Sequence, residues 1–127
     1  MSAPRPVGPY TPVVRAGEWL LCSGQLGLRD GALVDGGVAA QVTQAVANLR
    51  SLLEGEGSGL SAVAKTTVFL TDIANYAAMN EAYTAAFGSH RPARSAFAVA
   101  GLPLGALVEI EAWAHVAALA SRPIAAP

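Results

Sequence analysis

The pattern that most restricts the fold is a long amphipathic stretch between residues 38 and 53. Its apolar positions recur every three or four residues, the spacing that places side chains on one face of an α-helix. These positions are Val38, Val42, Ala45, Val46, Leu49, Leu52 and Leu53. The polar residues expected largely on the other face are Gln41, Gln44, Asn48 and Arg50. A glycine-rich run over residues 55–59 predicts where this helix ends.

Short apolar runs bounded by glycine predict β-strands on both sides of this helix. Val13–Val14 and Trp19–Ser23 flank a turn at residues 16–18, the pattern of a β-hairpin. We expect Gly24 to end the second strand and the glycine-rich residues after it to form a loop. Val63–Leu70 is rich in β-branched and aromatic residues, is too short for a helix, and predicts a buried central strand.

A second helix and two further strands complete the predicted order. Asn75–Phe87 predicts a helix capped by Gly88, and its apolar stripe consists of Tyr76, Met79, Tyr83 and Phe87. Ser95–Val99 and Leu107–Val116 predict strands, joined by a connector over residues 101–105 whose glycines and proline disfavour regular structure. The order is β-β-α-β-α-β-β in one domain spanning residues 1–127.

Two helices of this length cover only one face of a four- or five-stranded sheet. The sequence therefore predicts a sheet with both helices on one face and another subunit against the other face. On the final strand Val108, Ile110 and Ala112 alternate with a second set of side chains. That second set, expected in a partly polar interface between chains, consists of Glu109, Glu111 and Trp113.

Composition argues against several classes of protein. The chain has 53% hydrophobic residues over 127 positions, enough to bury a core without disulfides or metal and to bury further surface between subunits. A net charge of -1 gives no basic stripe for nucleic acid. No apolar run approaches the roughly 18 residues of a membrane span. The first six residues lack the apolar core of a signal peptide, so we expect a cytoplasmic protein. The residues after Ala120 are expected to fray.

Two charged residues are candidates for chemistry in a chain that is only 13% charged. Arg94 opens one apolar run and Glu109 lies inside the next, which suggests an anion clamp and a proton handler. Two simpler interpretations stay open: an interface ion pair for Arg94, and a solvated face for Glu109 and Glu111. Ser23 has no histidine nearby in sequence, so its hydroxyl is expected to donate a hydrogen bond rather than to act as a nucleophile.

The remaining nucleophiles and ligands give weaker signals. Cys22 is the only cysteine, alternates with Ser23, and is expected on the opposite face as inert core. His90 and His115 are far apart in sequence and lack companion ligands, so no metal site is predicted.

Seven short motifs in order resemble the Rid family, the reactive intermediate deaminases also called YjgF or L-PSP proteins. The resemblance runs from about Gly8 to Ala114. The matching segments are Gly8–Tyr10, Ser23–Gln25, Gln44–Leu49, Lys65–Asp72, Met79–Tyr83, Arg91–Ser95 and Glu109–Ala112. Each segment alone would be weak, but seven in the right order make a chance match improbable.

The resemblance implies a chorismate-mutase-like α+β subunit with a mixed sheet, which assembles as a homotrimer with three sites between subunits. It also implies hydrolysis of enamine and imine intermediates, such as 2-aminoacrylate, to 2-oxo acids and ammonia without metal or organic cofactor. By matching motifs, Arg94 would bind the substrate carboxylate and Glu109 would position or activate water. The residues lining the site would be Tyr10, Ser23, Gly24 and Asn80, with Ala96 two positions after the arginine.

Ala96 departs from the family pattern, since the archetypal deaminases carry cysteine there. Water attack does not require that thiol, but pocket shape and substrate preference would change. Two other functions stay open. One is a non-catalytic trimer that binds small carboxylates or acts as a chaperone. The other is the ribonuclease or translation-inhibitor activity that the L-PSP name suggests, which the absence of a basic stripe disfavours.

Overall fold

A computed structural model describes residues 3–116; the predicted fraying after Ala120 lies outside this range. Within it, α1 spans Gly37–Gly55 and α2 spans Tyr76–Phe87. The strands are β1 (Val13–Ala16), β2 (Trp19–Leu26), β3 (Leu28–Arg29), β4 (Ala32–Leu33), β5 (Val63–Leu70), β6 (Ala93–Ala98) and β7 (Val108–His115). Short 3-10 turns cover Leu60–Ala62, Ile73–Asn75 and Pro103–Gly105.

The main sheet has the order β1-β2-β7-β5-β6. Strands β5 and β6 are parallel, and every other neighbouring pair in this sheet is antiparallel. Parallel neighbours need a crossover, which α2 supplies. Helix α1 packs across β2 and β7 and beside α2, so both helices cover the same face. The α+β class, the mixed sheet and the one-sided helices are as predicted.

The stripe on α1 forms the centre of the core, but two of its polar residues are buried as well. Val42, Val46 and Leu49 are fully buried, as predicted. Gln41 and Asn48 were expected largely on the solvent side, and this is wrong: both are less than 9% exposed. Their amides satisfy backbone groups that the sheet leaves unpaired. Gln41 Oε1 accepts from Leu107 N at 2.9 Å, and Asn48 Nδ2 donates to the carbonyls of residues 26 and 28 at 3.0 and 3.1 Å.

Strand β2 does not end at Gly24, contrary to the prediction. It continues to Leu26 through a bulge between Cys22 and Gln25. The expected loop then contains the small hairpin of β3 and β4. Asp30 and Gly31 form the turn of this hairpin, with φ of 54° and 83°. An Asp-Gly pair tolerates the two positive φ values that such a tight hairpin turn needs. The flanking strands are two residues long, too short to give an alternating pattern.

The face of the main sheet away from the helices, here called the open face, carries exposed large apolar side chains. Val14, Trp19, Phe97 and Trp113 are between 38% and 48% exposed. Trp113 lies there with Glu109 and Glu111, while Val108, Ile110 and Ala112 are buried, as the alternation on β7 predicted. Exposed apolar groups of this size on one face are typical of a surface that contacts another protein.

The opposite side of β2 contributes Cys22 to the core. The thiol is buried, and loss of water around it raises its pKa to about 12. A thiol with such a pKa is almost entirely protonated at neutral pH and therefore a poor nucleophile. The inert core role predicted for Cys22 agrees with this burial. No helix within residues 3–116 is long and apolar enough to cross a membrane.

Candidate active site

A cleft of about 310 Å³ opens on the open face beside the bulge in β2. We call it the open-face cleft, and its lining residues are Val7, Tyr10, Ser23, Gly24, Pro103, Glu109 and Glu111. Four of the predicted site residues therefore meet in one place: Tyr10, Ser23, Gly24 and Glu109.

Gly24 makes room for the carboxyl group of Glu109. A Cβ atom at position 24 would lie 2.9 Å from Cγ and 2.7 Å from Cδ of Glu109, and closer still to Oε2. Real Cβ atoms essentially never approach heavy atoms so closely. The bulge in β2 brings this backbone against Glu109, whose strand partner is Leu26. Glycine at 24 is thus required by close approach, because any side chain would displace the carboxyl group.

Ser23 fastens the N-terminal segment to the rim of the cleft. Its Oγ donates to the carbonyl of Thr11 at 2.6 Å, and its backbone N donates to the carbonyl of Pro12 at 2.8 Å. At the other end of this segment Val7 N donates to the hydroxyl of Tyr10 at 3.2 Å. The Ser23 hydroxyl therefore acts as a hydrogen-bond donor here, and Tyr10 is held with its ring at the cleft.

Glu109 is the carboxyl group whose protonation the cleft perturbs. Burial raises its pKa by removing water from the charged form, and the nearby carboxylate of Glu111 raises it further by repulsion. No group within residues 3–116 hydrogen-bonds to the Glu109 side chain. A half-buried carboxyl with a raised pKa keeps its proton to higher pH than an ordinary glutamate, which is the property expected of a group that donates and accepts protons in a reaction.

Arg94 lies elsewhere, on the edge strand β6 and under α2. Its Nη2 donates to the Tyr76 hydroxyl at 3.1 Å, and its Nη1 lies 3.7 Å from the Met79 sulfur. The guanidinium carbon is 4.9 Å from the ring centre of Tyr83 and 5.6 Å from that of Tyr76. No carboxylate within the described residues forms an ion pair with Arg94. The guanidinium charge is held by aromatic faces and left without an anionic partner.

Arg94 and Glu109 do not meet within one chain. Arg94 lies beside Thr66 of β5 and faces the helices, whereas Glu109 lies beside Phe69 of β5 and faces away from them. Strand geometry separates their backbones by roughly 10 Å along the strands and roughly 10 Å across them, with the side chains on opposite faces. A ligand small enough for the open-face cleft cannot touch both residues of the same chain.

Two other predicted residues lie on the side of Arg94. Ala96 is two positions further along β6, partly buried against the core. Asn80 lies on α2 between Tyr76 and Tyr83, four and three residues away on the same helical face. Its Oδ1 is buried with no hydrogen-bond partner in the described part of the chain. We call this group the arginine edge: Arg94, Ala96, Asn80, Tyr76, Met79 and Tyr83.

Two features were not predicted from the sequence: the aromatic side chains around Arg94 and the position of Glu111 in the cleft. Tyr76, Met79 and Tyr83 were assigned to the apolar stripe of α2, and nothing in that spacing indicates that they contact an arginine. Glu111 was expected in an interface between chains or on a solvated face, with no part in a cleft. Its alternation with Glu109 on β7 was the available signal, since two residues apart on a strand share a face.

Both histidines interact with neighbouring groups of the protein through their rings. His90 Nε2 lies 2.7 Å from the carbonyl of Val63, and His115 Nε2 lies 3.5 Å from the Glu18 carboxylate and edge-on to Trp19. Within residues 3–116, histidine, cysteine, aspartate and glutamate side chains form no group of three or more that could hold a metal ion.

Comparison with known proteins gives consistent matches. A family model described as endoribonuclease L-PSP matches residues 1–116. The human 2-iminobutanoate/2-iminopropanoate deaminase is 43% identical over 115 residues, which are 89% of this chain and 84% of the human protein. The crystal structure of the Escherichia coli YjgF gene product superposes with a TM-score of 0.85 at 37% identity, over 90% of this chain and 93% of that one. Escherichia coli TdcF with bound serine gives a TM-score of 0.84 at 33% identity, over 89% and 92%.

Proposed function

Since the chain belongs to the endoribonuclease L-PSP family, also called the Rid or YjgF family, we propose that it hydrolyses reactive enamine and imine acids. The products would be 2-oxo acids and ammonia, with 2-aminoacrylate and its imine tautomer as model substrates. The observation that most supports this proposal is the environment of Glu109. Its carboxyl group is half-buried, has a raised pKa, and lies in a cleft that Gly24 keeps open. The name of the human relative and the serine bound to TdcF support a small 2-amino or 2-imino acid as ligand.

Charge favours a site that two subunits share. A 2-imino acid carries a carboxylate, and the open-face cleft lines its walls with two glutamates and no basic residue. A carboxylate would enter such a cleft only with a cation from elsewhere. Arg94 can bind a carboxylate through two parallel charge-assisted hydrogen bonds, but it lies on the other side of its own sheet.

We infer a homotrimer in which the arginine edge of one subunit closes the open-face cleft of the next. The exposed Trp19, Phe97 and Trp113 on the open face supply apolar surface for such an association. Each subunit would then contribute one arginine edge and one cleft, and three equivalent sites follow from the closed ring.

Glu109 would carry the protons of the reaction. The protonated carboxyl donates to the methylene carbon of the enamine, which becomes a cationic iminium. The resulting carboxylate then accepts a proton from water as the water oxygen attacks C2 and forms a carbinolamine. Return of that proton to nitrogen turns the amino group into a leaving group. As ammonia departs and the C2 carbonyl forms, the carboxylate takes the proton of the C2 hydroxyl and is protonated again, as at the start.

This chemistry makes modest demands on the protein. The iminium carbon is already electrophilic, so neither a metal nor an organic cofactor is expected. Ala96 offers no thiol beside Arg94, and none of these steps uses one. A non-catalytic carboxylate-binding trimer would use Arg94 in the same way, and measured turnover separates it from the deaminase. The cleft offers no basic surface for the phosphates of RNA, which disfavours a ribonuclease.

The test is to generate 2-aminoacrylate in situ and follow 2-oxo acid release. We expect acceleration by the wild-type protein and a loss of kcat/KM of more than about tenfold in Arg94→Ala, because a charge-assisted hydrogen-bonded contact contributes at least about 1.5 kcal/mol. Arg91→Ala is the matched control, since Arg91 is exposed and donates only to backbone carbonyls after α2. Absence of acceleration with several imino acids would overturn the proposed function.

A further inference from the structure

The orientation of the Arg94 side chain is not fixed by its own strand. A guanidinium on a long, flexible side chain at a sheet edge samples many orientations, and fixing one of them costs entropy when a ligand binds. An acidic neighbour would fix it but would also compete with a substrate carboxylate. Within the described residues Arg94 has no acidic partner, and its contacts are Tyr76, Met79 and Tyr83 of α2.

Tyr83 is the rigid part of this arrangement. It is 4% exposed, and its hydroxyl shares a 2.7 Å hydrogen bond with the hydroxyl of Thr66, which is fully buried on β5. Thr66 is the strand neighbour of Arg94, so one buried pair fixes the ring directly beside the arginine. Phe87 packs against the same ring at a centroid distance of 4.6 Å. The ring therefore has little freedom to turn away from the guanidinium.

Tyr76 fixes the direction of the guanidinium. It is 41% exposed, and its hydroxyl accepts from Nη2 at 3.1 Å. A neutral acceptor at one corner and a ring face below restrain the planar group without cancelling its charge. The guanidinium has five N–H donors, and these contacts leave several of them available to an incoming carboxylate.

We propose that Tyr76 and Tyr83, the latter held by Thr66, are positioning residues that present the guanidinium of Arg94 to the substrate carboxylate. This rests on the proposed function, in which Arg94 binds that carboxylate. The tyrosines act through Arg94 and need not touch the substrate. They reduce the ordering that substrate binding would otherwise require, so their loss weakens binding of the carboxylate before it affects proton transfer.

The experiment measures kcat and KM for Tyr76→Phe, Tyr83→Phe and Tyr83→Leu, each in the wild-type and the Arg94→Ala background. Tyr76→Phe should raise KM about three- to tenfold with kcat within about twofold, the range that corresponds to the net contribution of one ordinary hydrogen bond. Tyr83→Phe keeps the ring and should have a smaller effect than Tyr83→Leu, which removes it. In the Arg94→Ala background the effect of Tyr76→Phe should vanish.

Two results would overturn the inference. One is an unchanged KM in Tyr76→Phe; the other is an increase of the same size in the Arg94→Ala background, which would mean that the tyrosine does not act through the arginine. Tyr76 is half exposed, so its variant remains informative even if Tyr83→Leu fails to fold. If the wild-type protein turns over no imino acid, the same variants are compared by calorimetric binding of pyruvate. Loss of pyruvate affinity in Tyr76→Phe would support the positioning role while the proposed function fails, and unchanged affinity would contradict it.

Discussion

The open-face cleft and the arginine edge carry opposite charges and lie on opposite faces of the same sheet. The cleft holds Glu109 and Glu111 and is lined by no basic residue. At the edge, Arg94 forms no ion pair with a carboxylate anywhere in residues 3–116. Had the two groups been neighbours, they would have paired, the pKa of Glu109 would have fallen, and the guanidinium would have been occupied. Their separation leaves both groups unpaired within one chain, and under the proposed function each region supplies half of a site.

The difference follows from strand alternation and register. On β7 the odd-numbered residues from 109 to 113 face away from the helices. On β6 the parallel pairing with β5 sets Arg94 beside the buried Thr66, which turns it toward α2. A shift of one residue in that pairing would turn Arg94 to the open face, where only β5 would separate it from the strand that carries the glutamates.

The largest expected effect comes from removing the proton carrier of the cleft. Glu109→Gln keeps the shape of the side chain but cannot exchange a proton, so we expect kcat to fall by about 10²- to 10⁴-fold. Binding of pyruvate should not weaken, because the amide removes a negative charge that repels the carboxylate of pyruvate. Steady-state kinetics and calorimetry check this. A kcat within about threefold of wild type would assign the proton transfers to another group.

A somewhat smaller effect is expected from filling the space beside that carboxyl. Gly24→Ala places a Cβ atom against Glu109, so the carboxyl or the β2 backbone must move. We expect kcat/KM to fall at least tenfold and the free energy of unfolding to fall by about 1–3 kcal/mol, the usual cost of overpacking.

Gly59→Ala is the matched control for this substitution. Gly59 has extended backbone that any residue adopts, and a Cβ atom there meets nothing within 4 Å. The activity of Gly59→Ala should equal that of the wild-type protein. Equal activity in Gly24→Ala as well would show that the close approach to Glu109 has no role in the reaction.

The most subtle expected effect is on the pKa of Glu109, measured by NMR titration and from the pH dependence of kcat. Glu111→Gln removes a repelling negative charge, so ionisation of Glu109 becomes easier and its pKa should fall. Burial still acts, so the value should stay above that of an ordinary glutamate. The limb of activity that needs the protonated form should therefore move to lower pH.

Arg94→Ala extends this measurement to the second region. If the arginine of a neighbouring subunit faces the cleft, removing it raises the pKa of Glu109. In an isolated chain the same substitution should leave the value unchanged, because the two side chains lie on opposite faces. An unchanged pKa in the assembled protein would argue against contact between the two regions.

Most of the fold was predictable because it depends on local periodicity. The spacing of apolar residues predicted α1, and alternation on β7 correctly predicted which face Glu109 takes. Burial of Gln41 and Asn48 was not predictable, because their partners are carbonyl and amide groups distant in sequence. The Asp30-Gly31 turn signal was present, but strands of two residues show no pattern of their own.

Motif resemblance could name candidate site residues, but it could not show that they lie in two separate regions of one chain. Motif resemblance picked out Tyr10, Ser23, Gly24 and Glu109, which the structure brings together. It also picked out Arg94, Asn80 and Ala96, which the structure places elsewhere. Which face Arg94 takes depends on the parallel register of β6 against β5, and no pattern within β6 specifies that register. The aromatic contacts of Arg94 were not predictable, because the residues that make them belong to the apolar stripe of α2, which also packs in the core.

Mixing two impaired variants tests the shared site most directly. Arg94→Ala subunits still supply Glu109, and Glu109→Gln subunits still supply Arg94, so subunits are exchanged by co-expression and trimers of mixed composition are assayed. If each site takes Arg94 from one subunit and Glu109 from the next, random assortment at equal ratio restores about one quarter of the wild-type sites. If both residues act from the same chain, every site lacks one of them. Activity no higher than that of the separate variants, in trimers shown to contain both kinds of subunit, would contradict the account.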